Sequence, residues 1–254
     1  MNVVKEYLIG RHEEFWFDIY NIEKDEIRKL KDYIEYIKIE LKEFIPLTCE
    51  YKSISALFMK MHLKYLEEAF SSLILGNYNA LSCILRIIIE NYVSYEFIKK
   101  YKKQSIYKDW YIWSIYKLTN RALEEPYKTE IKNNYDKLCT QLNVSLDYIS
   151  NKEAYGWLAQ KVKLRNYSFK TVSESIDPNI YKDFSYLSNN IHNTDLYTKI
   201  NWTDMTLLTK YIYLIFYYTE KMIRIYKYNI LRRNDYYYLR QNLLKSLDKC
   251  CNYK

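Results

Sequence analysis

The sequence has very few of the residues that break a helix or turn the backbone sharply. It contains three glycines and three prolines among 254 residues, where an average chain of this length would carry about 30 of the two together. Glycine-rich phosphate loops, dinucleotide-binding fingerprints, propellers and tight-hairpin barrels all need glycine where the backbone turns or approaches a ligand. The sequence therefore predicts an all-α protein and argues against the common nucleotide-binding folds.

Composition and cysteine usage predict a globular protein of a reducing compartment. Hydrophobic residues make up 49% of the chain and aromatic residues 18%, which is ample for a sizeable core. The five cysteines show no C-x-x-C spacing, and a chain of this length does not need disulfides to stay folded. Residues 1–15 lack the basic region and apolar run of a signal peptide, and no run of about 20 apolar residues could span a bilayer. We therefore expect a cytoplasmic protein with no membrane partner.

Charge is distributed unevenly along the chain. Residues 1–50 hold 8 basic and 12 acidic side chains, a local charge of −4, whereas residues 221–254 hold nine basic and two acidic ones, a local charge of +7. Six of the 31 tyrosines lie in that basic tail. One interpretation is an RNA-binding surface in which tyrosines stack on bases, and the other is a solvated basic helix encoded by a tyrosine-rich genome. The candidate phosphate contacts are Arg224, Lys227, Arg232, Arg233 and Arg240.

Apolar residues recur at three- and four-residue steps along most of the chain, as on the buried face of a helix. The pattern predicts helices over residues 23–44, 53–75, 80–101, 107–123, 124–142, 179–193 and 203–231 and from 235 onward. Pro46 is expected to end the first helix, Gly76 to cap the second, and Asn77 or Asn79 to cap the third. Residues 143–178 are the least regular.

No flexible linker or internal repeat interrupts this series of helices, so we predict one domain over residues 1–254. It comprises an acidic amphipathic region over 1–50, a core bundle over 53–219 and a long, basic, tyrosine-rich helical extension over 221–254. The helix over 80–101 is apolar nearly all round, which is typical of a helix at the centre of a bundle.

Two ionisable residues lie within that apolar helix. Arg86 and Glu90 are one turn apart on a face shared with Cys83, Val93 and Phe97, and we expect neither side chain to face solvent. Burying an ionised group is costly unless it is paired. Either the two residues form a structural ion pair that joins helices, or Arg86 is held in a polar pocket that binds an anion such as phosphate.

A second polar pair lies on the helix over 179–193. Ser188 and His192 are four residues apart along one edge of an apolar stripe and are expected to face the core. An unperturbed imidazole titrates near neutral pH, so His192 could act as a general acid or base. The alternative is a satisfied structural histidine. His12 and His62 are weaker candidates, and because no metal-binding motif is present we expect no metal and no cofactor.

These two helices carry a family resemblance. The L-x-R-x-x-x-E pattern at Ile84–Glu90, with Ile84 in place of the first leucine, and the W…Y…YLS-x-x-x-H pattern at Trp157, Tyr181 and Tyr186–His192 resemble an uncharacterised family of bacterial and phage-associated helical proteins. Its members are similar to the HEPN-like helical bundles, many of which are metal-independent ribonucleases of toxin–antitoxin and abortive-infection systems. The resemblance covers residues 53–219.

The resemblance implies a polar centre made of Arg86, Glu90, Ser188 and His192. Typical HEPN nucleases carry an arginine four to six residues before the histidine, so Arg86 would have to replace it from another helix. The implied function is a bacterial defence or toxin-like endoribonuclease, with RNA, a second copy of the chain and an antitoxin or defence protein as expected partners. The alternative is a non-catalytic interaction module in which these four residues form a structural network and the basic tail binds RNA or a protein.

Overall fold

The fold is described from a computed structural model over residues 24–42, 50–121, 124–143, 154–159, 161–192, 205–226 and 233–251. The chain is all-α, and these ranges contain no β-strand. The helices are α1 (Lys24–Lys42), α2 (Glu50–Ile74), α3 (Tyr78–Lys100), α4 (Ile106–Arg121), α5 (Tyr127–Leu142), α6 (Phe169–Glu174), α7 (Pro178–His192), α8 (Met205–Tyr226) and α9 (Asn234–Cys251), with short 3-10 helices at Lys102–Gln104 and Gly156–Leu158.

Most helices begin and end within a few residues of where the sequence predicts. Gly76 has a φ of 65°, the left-handed conformation that glycine adopts without a steric cost. The Asn77 side chain accepts a hydrogen bond from the Ala80 amide at 3.1 Å, so the predicted cap of α3 is confirmed. Within the irregular range 143–178 the structure contains the short helix α6, which the sequence pattern does not predict. Ser168 caps α6 by accepting the Thr171 amide. Pro46 lies outside the described residues.

Contacts between residues divide the chain into two compact units. Unit 1 comprises Met1–Phe44, Leu66–Leu81 and Asp195–Lys254, and unit 2 comprises Ile45–Tyr65 and Ser82–Thr194. The expectation of one domain remains a prediction. No helix of the described ranges combines the length and the apolar character needed to cross a membrane.

Unit 1 is built around the packing of α1, α8 and α9. Its core contains several fully buried tyrosines as well as aliphatic side chains, and Tyr33 of α1 is central. The Tyr33 ring lies 5.3 Å from that of Phe216 on α8 and 6.1 Å from that of Tyr236 on α9. Aromatic rings at such distances contribute about 0.5–1.5 kcal/mol per pair beyond the area they bury. A single tyrosine thus connects three helices that are distant in sequence.

Unit 2 is built around α3, which is buried along most of its length. Leu85, Ile88, Ile89 and Val93 have no exposed surface, in agreement with the prediction of a central helix. In the same unit the Phe58 ring of α2 stacks on Tyr95 at 5.2 Å. The helix α4 packs on α5 and on the 3-10 helix Gly156–Leu158, and α6 packs on α7.

Candidate functional site

Arg86 on α3 lies against α7 within unit 2. Its guanidinium carbon is 4.5 Å from the centroid of the Phe184 ring, a distance at which the cation is attracted by the face of the ring. Both side chains are half-buried. The Arg86 Nε atom is buried and has no hydrogen-bond partner among the described residues. An unsatisfied buried donor costs about 1–3 kcal/mol, or more when it is charged. The contact with Phe184 therefore holds the guanidinium in place while at least one of its donors makes no hydrogen bond to the described residues.

Glu90 differs from the sequence prediction. Its side chain is exposed, so the expectation that it does not face solvent is wrong, and Arg86 is only half-buried. Within the described part of the chain the two residues form no ion pair. The surrounding helices nevertheless remove part of the water around the Glu90 carboxylate, which raises its pKa, and the charge of Arg86 opposes that rise. The two groups therefore interact through space and not through a direct contact.

The Phe184 ring that contacts Arg86 belongs to a row of aromatic rings. Phe184 is 4.0 Å from Phe169 on α6, Phe169 is 6.0 Å from Tyr155, and Tyr155 is 6.2 Å from Trp157. The Tyr155 hydroxyl donates to the backbone carbonyl of Glu90 at 3.4 Å. Burial raises the pKa of Tyr155, and the Glu90 charge raises it further. The row therefore attaches the irregular segment before α7 to the helix that carries Arg86 and Glu90.

The two polar residues of α7 follow Phe184 by one and two turns. The Ser188 hydroxyl donates to the Phe184 carbonyl at 2.8 Å, so its proton is used within the helix and its oxygen is left as an acceptor. Ser188 is half-buried, and Leu187 beside it is fully buried, as the apolar stripe predicts. His192 is the last residue of α7, and its side chain lies outside the described residues. The structure thus brings Arg86 to the helix that carries Ser188 and His192.

The structure describes part of the basic tail. Arg233 pairs with Glu40 of α1, and Arg240 pairs with Glu220 of α8 at 3.2 Å. Arg224 is exposed at the end of α8. Lys227 and Arg232 lie outside the described residues. Two of the five candidate phosphate contacts are therefore engaged by carboxylates of the same unit.

A buried polar network in unit 1 was not predicted from the sequence. Glu220 is 5% exposed and receives hydrogen bonds from the Tyr33 hydroxyl at 2.8 Å and from Arg240 Nε at 3.2 Å. Burial and the negative charge of Glu220 raise the pKa of Tyr33 well above its ordinary range. The sequence contains one signal of this network, which is an acidic residue, Glu220, at a position surrounded by apolar residues on a predicted helix. Its partners are 187 and 20 residues away, and no local pattern connects them.

His62 on α2 is also buried and polar. It has no exposed surface, and neither ring nitrogen has a hydrogen-bond partner among the described residues. Burial lowers its pKa to about 4, so the imidazole is neutral at physiological pH. Across the described ranges no group of three or more histidine, cysteine, aspartate or glutamate side chains could hold a metal ion.

We compared the chain with models of protein families, with curated proteins and with solved structures, and none of the three comparisons gave a match.

Proposed function

We propose that the protein is a metal-independent endoribonuclease of a bacterial defence or toxin-like system and that its site is formed by α3 and α7 of unit 2. The observation that carries the proposal is the position of Arg86. Its guanidinium is not consumed by an ion pair with Glu90 and lies over Phe184, on the helix that ends at His192. A partly exposed guanidinium with donors to spare is suited to a phosphate group.

The reaction needs a general base, a general acid and a group that stabilises negative charge on the phosphate. In the proposal the ribose 2′ oxygen bonds to phosphorus as the bond from phosphorus to the 5′ oxygen breaks. His192 either takes the proton from the 2′-hydroxyl or gives a proton to the departing 5′ oxygen, and water completes the other transfer. Arg86 stabilises the charge that develops on the phosphate oxygens. Glu90 acts on Arg86 electrostatically, since it forms no ion pair with it. Because the nucleophile is the 2′-hydroxyl, the substrate is RNA and not DNA.

Ser188 has a positioning role in this proposal. Its hydroxyl bonds to the Phe184 carbonyl one turn earlier, next to the ring that carries the Arg86 guanidinium. We therefore expect Ser188→Ala to lower cleavage far less than replacement of Arg86 or His192 does.

The test is cleavage of total RNA and of tRNA by the purified full chain in excess EDTA, read on a denaturing gel. We expect His192→Ala to lower the rate by about 10²–10⁴-fold and Arg86→Ala by about 10²–10³-fold. The matched control is Arg165→Ala, which removes an exposed arginine from the same unit and should leave the rate within about twofold.

Circular dichroism of each variant separates a loss of chemistry from a loss of folding. A wild-type chain that cuts neither RNA in EDTA nor after magnesium is restored contradicts the proposal. Cleavage that persists in His192→Ala contradicts the assignment of His192.

The second candidate function is a non-catalytic interaction module. The observation that favours it is the exposure of Tyr237 and Tyr238 on α9, which leaves aromatic surface of the tail open to a partner although Arg233 and Arg240 are paired with Glu40 and Glu220. Under this alternative His192→Ala changes the melting temperature and removes no activity. A chain that binds a partner protein or RNA but cleaves nothing would favour it.

A further inference from the structure

A stripe of basic and aromatic side chains runs along one face of α8. We define the α8 stripe as Lys210, Tyr213, Tyr217, Lys221 and Arg224. Their spacings of three, four, four and three residues keep all five within a sector of about 80° when each residue advances the helix by about 100°. Three cations and two aromatic rings therefore share one face of the helix.

The two tyrosines of the stripe form a single platform. Their rings lie 5.6 Å apart with an interplanar angle of 20°. Tyr213 is 40% exposed and Tyr217 is half-buried. Tyr217 also packs edge-on against fully buried Tyr218 at 5.2 Å, so the platform is fixed to the core of unit 1. A ring that is already held in place loses little conformational entropy when a ligand stacks on it.

Cations flank this platform at both ends. The Lys210 ammonium is 5.9 Å from the Tyr213 ring centroid, and the Lys221 ammonium is 5.0 Å from that of Tyr217. Arg224 extends the positive charge by one further turn and is exposed. The only acidic residue within α8 is Glu220, and it is buried and bonded to Tyr33 and Arg240. Its charge is thus directed to the interior and not to the stripe.

We infer that the α8 stripe is a binding surface for single-stranded RNA, on which bases stack against the tyrosines while the lysines and Arg224 contact phosphates. Stacking aromatic rings beside a line of positive charge are the combination by which proteins hold unpaired strands without reading their sequence. A duplex hides the faces of its bases, and an acidic peptide has no flat base to stack. The choice of RNA over DNA rests on the proposed function, whereas the preference for an unpaired strand rests on the stripe alone.

The test is the fluorescence anisotropy of a fluorescein-labelled oligouridylate about 12 nucleotides long, made with 2′-O-methyl riboses, titrated with the full chain. The methylated strand cannot be cleaved through its 2′-hydroxyl, so binding is measured whether or not the protein is a ribonuclease. We expect Tyr213→Leu/Tyr217→Leu to weaken binding by about 5- to 150-fold for each base that loses its ring.

Three variants make this result specific. Tyr213→Phe/Tyr217→Phe keeps both rings and should bind within about twofold of wild type. Lys221→Ala should reduce the slope of log Kd against log salt by about 0.7, the value for one phosphate contact on a single strand. The matched control, Tyr127→Leu/Lys128→Ala, removes an exposed tyrosine and an exposed lysine from α5 of unit 2 and should change nothing.

The inference is overturned if the leucine variant binds like wild type, if unlabelled duplex RNA or polyglutamate competes as well as the single strand, or if only a DNA strand binds. Should the leucine variant fail to fold, the salt slope of Lys221→Ala decides the question. If a chain without ribonuclease activity still binds the strand, the α8 stripe is supported as a binding surface, and only the proposed chemistry is contradicted.

Discussion

The two units differ in whether their central charged residue has its hydrogen-bond partners. In unit 1, Glu220 is buried and both of its oxygens have a partner, Tyr33 for one and Arg240 for the other. In unit 2, Arg86 is only half-buried, yet its Nε has no partner in the described part of the chain and its guanidinium lies on a phenylalanine ring.

Under the proposed function, the difference separates a structural role for Glu220 from a functional role for Arg86. A buried charge that has all its hydrogen bonds is costly to disturb and connects the helices that supply its partners. A charge with an unsatisfied buried donor contributes little to folding or opposes it, and in the proposed function the other donors of Arg86 bind the phosphate. We therefore expect replacements in the Glu220 network to lower stability, and replacements of Arg86 to lower activity at nearly constant stability.

The largest effect is expected for Glu220→Ala. The change leaves the Arg240 guanidinium and the buried Tyr33 hydroxyl without their acceptor, and removal of one member of a buried pair costs roughly 3–5 kcal/mol. Because Arg240 is partly exposed, we expect about 3 kcal/mol, measured as the free energy of unfolding in urea. The control is Glu67→Ala, which breaks a partly exposed pair with Lys38 and should cost less than about 1 kcal/mol. Equal losses in the two variants would contradict the comparison.

His62 extends the comparison to a buried group that has no hydrogen-bond partner among the described residues. Its pKa is about 4 in the folded chain, against 6.5 as the ordinary value, so the unfolded chain binds the proton more tightly. Stability is therefore unaffected above pH 6.5 and falls as the pH decreases from 6.5 to 4, by about 3 kcal/mol in total. We expect the pH dependence of unfolding to lose this amount in His62→Met. Parallel curves for the two chains between pH 7 and pH 4 would show that His62 does not titrate as expected.

Tyr33→Phe tests one bond of the Glu220 network at nearly constant volume. It removes the hydroxyl that donates to the carboxylate, and a hydrogen bond to a charged group contributes about 1.5–3 kcal/mol. We expect a loss of about 2 kcal/mol in the free energy of unfolding. The same change in the Glu220→Ala background should cost much less, since the acceptor is already gone. Additive losses in this double-mutant cycle would mean that the contribution of the Tyr33 hydroxyl does not depend on Glu220.

The smallest effect on stability is expected for Arg86→Met. Methionine keeps an apolar side chain over the Phe184 ring, and the lost cation–ring attraction is worth about 0.5–1 kcal/mol. Removal of the buried Nε donor, which has no partner among the described residues, opposes this loss, so the free energy of unfolding should fall by less than about 1 kcal/mol, while RNA cleavage is lost. Thermal unfolding and the EDTA cleavage assay on the same preparation measure both quantities. A loss of stability as large as that of Glu220→Ala would make Arg86 a structural residue.

The helices of this chain could be predicted because each is specified by local pattern. The stripe of α1, the glycine after α2 and the asparagine before α3 act over a few residues, and the structure agrees with all three. The short helix α6 was missed because six residues are too few for apolar periodicity, although Ser168 is a typical N-cap.

The sites were less predictable because they depend on pairing between distant helices. Position on α3 placed Arg86 and Glu90 on one face, but it could not show that α7 covers Arg86 and leaves Glu90 exposed. The Tyr33–Glu220 bond joins residues 187 positions apart. In the same way, the basic composition of the tail did not reveal that Arg233 and Arg240 are paired within unit 1.

The geometry of the α8 stripe also sets a minimum length for its ligand. Lys210 and Arg224 are 14 residues apart, which at about 1.5 Å per residue separates the two ends by about 21 Å. A strand whose bases stay stacked advances about 3.4 Å per nucleotide, so it needs roughly six nucleotides to cover that distance, and a more extended strand needs fewer. Affinity should therefore rise steeply with oligonucleotide length up to about six nucleotides and change little beyond that length. The length of α8 would then determine how many nucleotides of an unpaired strand contribute to binding.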